Sequence, residues 1–149
     1  MSMKQKAQSP IVSHTIAIGM TAVLVMVILS SFTNITGKYQ KFVAEYEIEQ
    51  VCFSIRSNVE RIYGPENYTL QENTTLSSIR IELPKKIADK KYHSRFFNNS
   101  VEVLIPELGM NVTCKIGFPA RFNGSSDGGV TKIYWQRYVN GSDEIGMIV

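Results

Sequence analysis

The chain has 149 residues, of which 16 are basic and 13 are acidic, and its formal net charge is +3. Opposite charges are mixed along the sequence and no long basic run occurs, so the composition argues against nucleic acid as a partner. The length predicts one domain beyond any membrane segment, and two histidines and two cysteines leave few groups for catalysis or metal binding.

The first predicted element is a membrane-spanning helix. Residues 11–32 contain no Asp, Glu, Lys or Arg, and such a helix is about 33 Å long, enough to cross the hydrocarbon core of a bilayer. Lys4 and Lys6 precede it without an acidic residue, which favours a cytoplasmic N-terminus and an external remainder. A removed secretory signal peptide is the alternative, but its apolar region is usually ~7–15 residues and ends in an A-x-A site.

The junction before this helix resembles a known processing site. Lys6, Ala7, Gln8 and Ser9 directly precede the apolar run, and this pattern is similar to the class III signal peptide of archaeal type IV pilin-like proteins. The resemblance implies that a prepilin peptidase cuts between Ala7 and Gln8 and leaves the helix on the mature chain. Bacterial pilins carry Glu at the fifth mature position, where Val12 stands here, but archaeal members often lack that acid.

The resemblance also implies a function as a subunit of a surface filament. The helix would leave the membrane and bundle with its copies, and Ala17, Gly19 and Ala22 would allow close approach of neighbouring helices. The implied partners are membrane lipid, the prepilin peptidase and further copies or other pilin-like subunits. The alternative is a non-polymerising membrane-anchored module, similar to the stator-like proteins of the archaellum that contact surface-layer protein.

An amphipathic continuation of the helix is predicted next. Apolar residues recur at alternating spacings of four and three with charged residues between them, which predicts one apolar stripe. These residues are Ile48, Cys52, Ile55, Val59 and Ile62. An apolar face is expected to continue upstream over Tyr39, Phe42, Val43 and Tyr46. Gly64 and Pro65 predict that the helix ends near Tyr63.

From Tyr68 the hydrophobic period becomes two, which is typical of strands. The predicted strands are residues 76–83, 91–97, 100–105, 111–118, 130–139 and 144–149, separated by turns at 98–99, 108–109, 125–129 and 140–141. We therefore predict an α+β fold, with the long N-terminal helix packed on a C-terminal antiparallel β-sheet or β-sandwich. The predicted domains are a leader (1–7), a transmembrane helix (8–36), its amphipathic continuation (37–63) and an extracellular β domain (64–149).

Two cysteines are predicted to face one interior. Cys52 lies on the helix stripe, and Cys114 lies on the inward side of its strand. A disulfide between them would close a loop of about 62 residues and stabilise an exported domain by roughly 4 kcal/mol. Two separate buried thiols that behave as small hydrophobic side chains are the alternative.

Seven asparagines occupy N-x-[ST] sequons, and all of them follow the membrane segment. Asn34 abuts the membrane and is the poorest acceptor. The other six predict a glycosylated external surface. They are Asn67, Asn73, Asn98, Asn111, Asn123 and Asn140.

No catalytic, cofactor-binding or metal-binding residues are predicted, and we expect that the protein is not an enzyme. A Cys114–His93 nucleophile–base pair is conceivable by residue type, but Cys114 faces inward and a reactive thiolate needs exposure. Ser125, Ser126 and Asp127 offer oxygen atoms to calcium, yet one carboxylate is too few for a dedicated site. We interpret this segment as a turn.

Overall fold

The computed structural model of the protein describes residues 8–64 and 73–149. Helix α1, Gln8–Ile62, continues through Gly37 without a break, and its side chains are described from Val12 onward. The chain divides into two compact units. The helix up to Gln40 belongs to the first, and Lys41–Val149 form the second. The predicted leader, residues 1–7, lies outside the described residues.

The second half of α1 packs on the sheet through one face. All five residues of the predicted stripe are buried, with exposed fractions between 0 and 7%, and Ala44 and Val51 join them. We call these seven residues the core face. The helix ends at Ile62, as Gly64 and Pro65 predict, and the Tyr63 N–H still donates to the Val59 carbonyl at 3.2 Å.

The predicted upstream extension of this face is wrong. Tyr39, Phe42 and Tyr46 are 63–69% exposed, and Val43 is half-buried. Successive helical residues are about 100° apart, so Tyr46 lies roughly 160° around the helix from Ile48. Ala44 occupies the buried side instead.

Seven strands follow among the described residues. They are β1 Thr74–Leu83, β2 His93–Phe97, β3 Ser100–Ile105, β4 Met110–Lys115, β5 Arg121–Ser126, β6 Gly129–Arg137 and β7 Asp143–Ile148, with a 3₁₀ helix at Pro106–Leu108. Six of them coincide with predicted strands, with shifted ends. Strand β5 was not predicted, because Phe122 is its one large apolar side chain and its last residues belong to a predicted turn.

The strands form one sheet in the order β1-β6-β7-β5-β2-β3-β4. Five neighbouring pairs are antiparallel, as predicted, but β5 and β7 are parallel. The chain reverses direction between β5 and β6 and again between β6 and β7. After these two reversals β7 runs in the same direction as β5. Because β7 lies between β5 and β6, it pairs with β5 in parallel, and the sheet is mixed.

Turn residues fit the places where the chain reverses. Asn98 and Asn99 have φ values of 46° and 56° and connect Phe97 to its directly paired partner Ser100. Such left-handed backbone is tolerated by Asn better than by most residues. The β6–β7 connection spans residues 138–142 and is longer than the predicted two-residue turn, since the Tyr138 N–H donates to the Ser142 carbonyl at 3.0 Å.

One face of the sheet and the core face of α1 enclose an apolar core. At the end of α1, Tyr63 stacks on Phe118 with ring centroids 3.9 Å apart and contacts Trp135. Asp143 accepts hydrogen bonds from Trp135 Nε1 at 3.0 Å and from Arg137 Nε at 2.7 Å. These bonds fix the start of β7 against the neighbouring strand.

Candidate functional site

The first half of α1 exposes apolar side chains on every side. All described side chains from Val12 to Phe42 are exposed, and no charged residue occurs between Val12 and Phe32. The described helix from Val12 to Ile62 contains a stretch that is long and apolar enough to anchor the chain in a membrane.

Several hydroxyl groups between Thr21 and Thr36 donate hydrogen bonds to carbonyl groups of the helix itself. Thr21 Oγ1 donates to the Ala17 carbonyl, Ser31 Oγ to the Val27 carbonyl and Thr36 Oγ1 to the Phe32 carbonyl, each at 2.8 Å. A polar group in hydrocarbon is costly unless it has such a partner. These bonds lower the cost of placing the hydroxyl-bearing turns in an apolar environment.

The second half of α1 carries a second apolar surface, opposite the core face. Phe42, Tyr46 and Phe53 are 62–69% exposed, and their positions fall within one narrow sector of the helix. We call these three residues the aromatic face. Phe53 was not singled out by the sequence analysis, although its spacing of seven residues from Tyr46 repeats the spacing between Tyr46 and Tyr39.

Cys52 and Cys114 form a disulfide, with their Cα atoms 6.0 Å apart. This is the first of the two arrangements that the sequence left open. Cys52 is fully buried on the core face, and Cys114 lies on β4, the strand at one edge of the sheet. The bond therefore ties an edge strand to the helix.

The sequon asparagines that the structure describes all have exposed side chains. Asn111 and Asn123 lie on strands and point away from the core, whereas Asn73, Asn98 and Asn140 lie at strand ends or in turns. Asn67 is outside the described residues. Exposure makes these side chains accessible to a modifying enzyme, although Asn111 Nδ2 donates a hydrogen bond to Glu102 Oε1 at 2.9 Å. Occupancy stays a prediction.

The predicted processing residues are described only in part. Lys6 and Ala7 lie outside the described residues, and Gln8 is the first residue of α1 by its backbone. Cleavage between Ala7 and Gln8 therefore stays a prediction.

The conceivable Cys114–His93 pair is absent. Cys114 is bonded to Cys52, and His93 Nδ1 lies 2.6 Å from Asp127 Oδ1. Ser126 is buried, and its hydroxyl is engaged by that of Thr131 at 2.6 Å. Within residues 8–64 and 73–149, no group of three His, Cys, Asp or Glu side chains is placed to hold a metal ion.

These features define an α+β protein with an apolar N-terminal helix, a disulfide between helix and sheet, and an exposed aromatic face. The chain belongs to DUF7266, a family of unknown function, whose model matches residues 3–144. Comparisons with curated proteins and with solved structures gave no match.

Proposed function

We propose that this protein is a pilin-like structural subunit of an archaeal cell-surface filament. A prepilin peptidase would remove the leader between Ala7 and Gln8, α1 would assemble with further copies or other pilin-like subunits, and the sheet domain would face the exterior. The aromatic face is the observation that supports this proposal most directly.

A membrane anchor alone does not account for the aromatic face. Aromatic residues near the end of a membrane helix are common at the lipid–water interface, and Phe42 fits that position. Phe53, however, follows the uncharged segment that ends at Phe32 by roughly six helical turns. It also lies on the side of the helix away from the protein's own core. Contact with another protein surface gives these rings a place to be buried.

Glycosylation of the external domain is part of the proposal. The described sequon asparagines are exposed, and Asn111 and Asn123 point outward from strands that face the core with their alternate residues. Glycans on these residues would leave the core intact and keep the outer surface soluble. The intact mass of the protein from native cells, before and after glycosidase treatment, measures their occupancy.

The deciding experiment shears surface filaments from native cells and identifies their subunits by mass spectrometry. The proposal predicts a mature peptide that begins at Gln8 in the filament fraction. Recovery of the chain from the membrane fraction alone would instead favour the non-polymerising anchor, whose partner would be surface-layer protein.

A matched pair of variants tests the role of the aromatic face. Phe53→Ser should strongly reduce the amount of subunit in filaments, while Phe97→Ser should leave it unchanged. Phe97 is a suitable control because it is also an exposed phenylalanine, 53% exposed on β2. Equal incorporation of both variants into filaments would contradict a role of the aromatic face in assembly.

A further inference from the structure

A pocket lies where the loop before β2 meets the turn between β5 and β6. Its volume is about 360 Å³, near the lower end of the range for small-molecule sites. It is lined by Lys85, Lys91, Tyr92, His93, Pro106 and Asp127. All six residues belong to the unit that contains the sheet, and none has a part in the proposed assembly of α1.

The loop that carries the two lysines is held in one conformation. Ile87 is fully buried and pairs with Lys90, and Ala88 and Asp89 between them have φ values of 47° and 62°. The Ala88 N–H donates to Glu47 Oε2 on α1 at 2.7 Å. Lys85 and Lys91 therefore project from a backbone that is already fixed.

Tyr92 closes the base of this loop. Its hydroxyl donates to the Pro84 carbonyl at 2.6 Å. Burial, with a further contribution from the charge of Asp127, raises the pKa of Tyr92 to about 12. The phenol therefore stays a hydrogen-bond donor throughout the neutral and mildly alkaline range.

The opposite wall is equally constrained. Gly128 has a φ of 91°, and a Cβ atom there would clash with the Pro84 carbonyl oxygen. The Ser94 hydroxyl donates to the Ser126 carbonyl at 2.8 Å. The Gly128 N–H donates to Ser126 Oγ at 3.1 Å. These contacts hold Asp127 beside His93 and bring the two loops into direct contact.

The charges of the pocket select an anionic ligand. Among the described residues that line the pocket, Lys85 and Lys91 are accompanied by one carboxylate, that of Asp127, which His93 already contacts. Nearby, Glu107 accepts a hydrogen bond from Lys90 at 2.7 Å. That bond and the charge of Lys90, followed by the charges of Lys86 and Lys91, lower the pKa of Glu107. Lys85, Lys91 and Asp127 together contribute one net positive charge to the lining, which complements one acidic group.

The Asp127 carboxylate further restricts the chemical class of ligand that the pocket can bind. A carboxylate accepts hydrogen bonds from hydroxyl groups but repels a multiply charged anion such as phosphate. A ligand that carries one acidic group and several hydroxyls satisfies both sides of the pocket. We propose that this pocket binds one acidic sugar residue, with Lys85 and Lys91 at its acidic group and Asp127 at its hydroxyls.

The test titrates the full chain in detergent with a hyaluronan tetrasaccharide, which carries glucuronate, and follows binding by calorimetry. The wild type should bind this probe and bind the neutral chitotetraose at least tenfold more weakly. The Lys85→Ala/Lys91→Ala variant should lose about tenfold or more in affinity for the acidic probe, because charge-assisted hydrogen bonds are lost. Both lysines are exposed, so the fold should survive, as circular dichroism will verify.

The matched control is Lys86→Ala/Lys115→Ala, which removes the same charge from exposed positions outside the pocket lining. It should bind the acidic probe like the wild type. An equal loss in this control would show that binding depends on diffuse surface charge, and equal affinity for the neutral probe would contradict a role for the acidic group. Inorganic sulfate or phosphate that binds as tightly as the tetrasaccharide would overturn the assignment of a sugar. Each outcome is independent of filament assembly.

Discussion

Two faces of one helical segment, residues 41–62, are both apolar but meet different surroundings. Ile48, Ile55 and Val59 on the core face are completely buried, whereas Phe42, Tyr46 and Phe53 on the aromatic face are mostly exposed. The core face is aliphatic apart from Cys52, and the opposite face is aromatic. Packing within the chain explains the first face and leaves the second without a role in folding.

The contrast between the two faces shows that apolar character alone does not identify the core. A surface helix normally opposes an apolar stripe with polar residues, and Glu49 and Arg56 partly follow that pattern here. The aromatic rings interrupt it. The two faces should therefore respond differently to substitution, since one supports stability and the other, in our proposal, supports assembly.

The disulfide should make the largest contribution on the core side. We expect the Cys52→Ala/Cys114→Ala variant to lose about 4 kcal/mol of unfolding free energy, because the unfolded chain regains the freedom of a long loop. Urea unfolding of the full chain in detergent, followed by the fluorescence of Trp135, measures the change. Trp135 is the single tryptophan of the chain and is buried.

A reductant provides the control for this prediction. It should destabilise the wild type by the same amount and leave the double variant unchanged. A wild type that is insensitive to reduction, with the disulfide shown to be cleaved, would contradict the expected contribution.

Truncation of the core face should have the next largest effect. Ile55 is fully buried, so Ile55→Ala should cost about 3 kcal/mol through lost burial and a residual cavity. Ile55→Val should cost about 1 kcal/mol in the same urea assay. The ratio of the two losses of unfolding free energy reports how tightly the sheet packs on the helix. Losses near zero for both variants would mean that this face is not part of the core.

The end of the core face offers a pH-dependent test at Asp143. The hydrogen bond from Arg137, together with a smaller one from Trp135, lowers the pKa of this carboxyl despite partial burial. Its charged form therefore stabilises the fold above the unfolded pKa of about 4, and this contribution is lost as the pH falls through the lower folded pKa. Asp143→Asn should cost about 1.5 kcal/mol at pH 7.

The loss caused by Asp143→Asn should shrink as the pH is lowered from 5 to 2, in urea unfolding followed by far-UV circular dichroism. Glu107→Gln serves as the control, because the Lys90–Glu107 pair is exposed and such pairs contribute little. If the free energy lost in Asp143→Asn does not vary with pH, the loss comes from packing and the charge of Asp143 does not contribute to it.

The sequence predicted those parts of the fold that depend on local patterns. The core stripe from Ile48 to Ile62 and six strands follow from periodicity, because burial on one side of an element repeats with its geometry. Strand β5 and its parallel pairing with β7 depend on contacts distant in sequence. The local sequence of β5, RFNGSS, resembles a turn.

The candidate surfaces were predicted less completely. Periodicity grouped Phe42 and Tyr46 with the core because apolar residues on two sides of a helix share similar spacings. The pocket lined by Lys85 and Asp127 joins loops 42 residues apart in the chain. No local pattern indicates that juxtaposition, although the four lysines of residues 85–91 mark a basic loop.

The smallest effect on folding is expected at Phe53, and it separates the two faces most sharply. Because this ring is 62% exposed, Phe53→Ala should change the unfolding free energy of the dispersed chain by no more than about 0.5 kcal/mol. The same variant should be depleted from sheared filaments, since the ring is expected to be buried between subunits. A substitution that destabilises the dispersed chain as much as Ile55→Ala would place Phe53 in the core, and depletion from filaments could then be explained by unfolding alone.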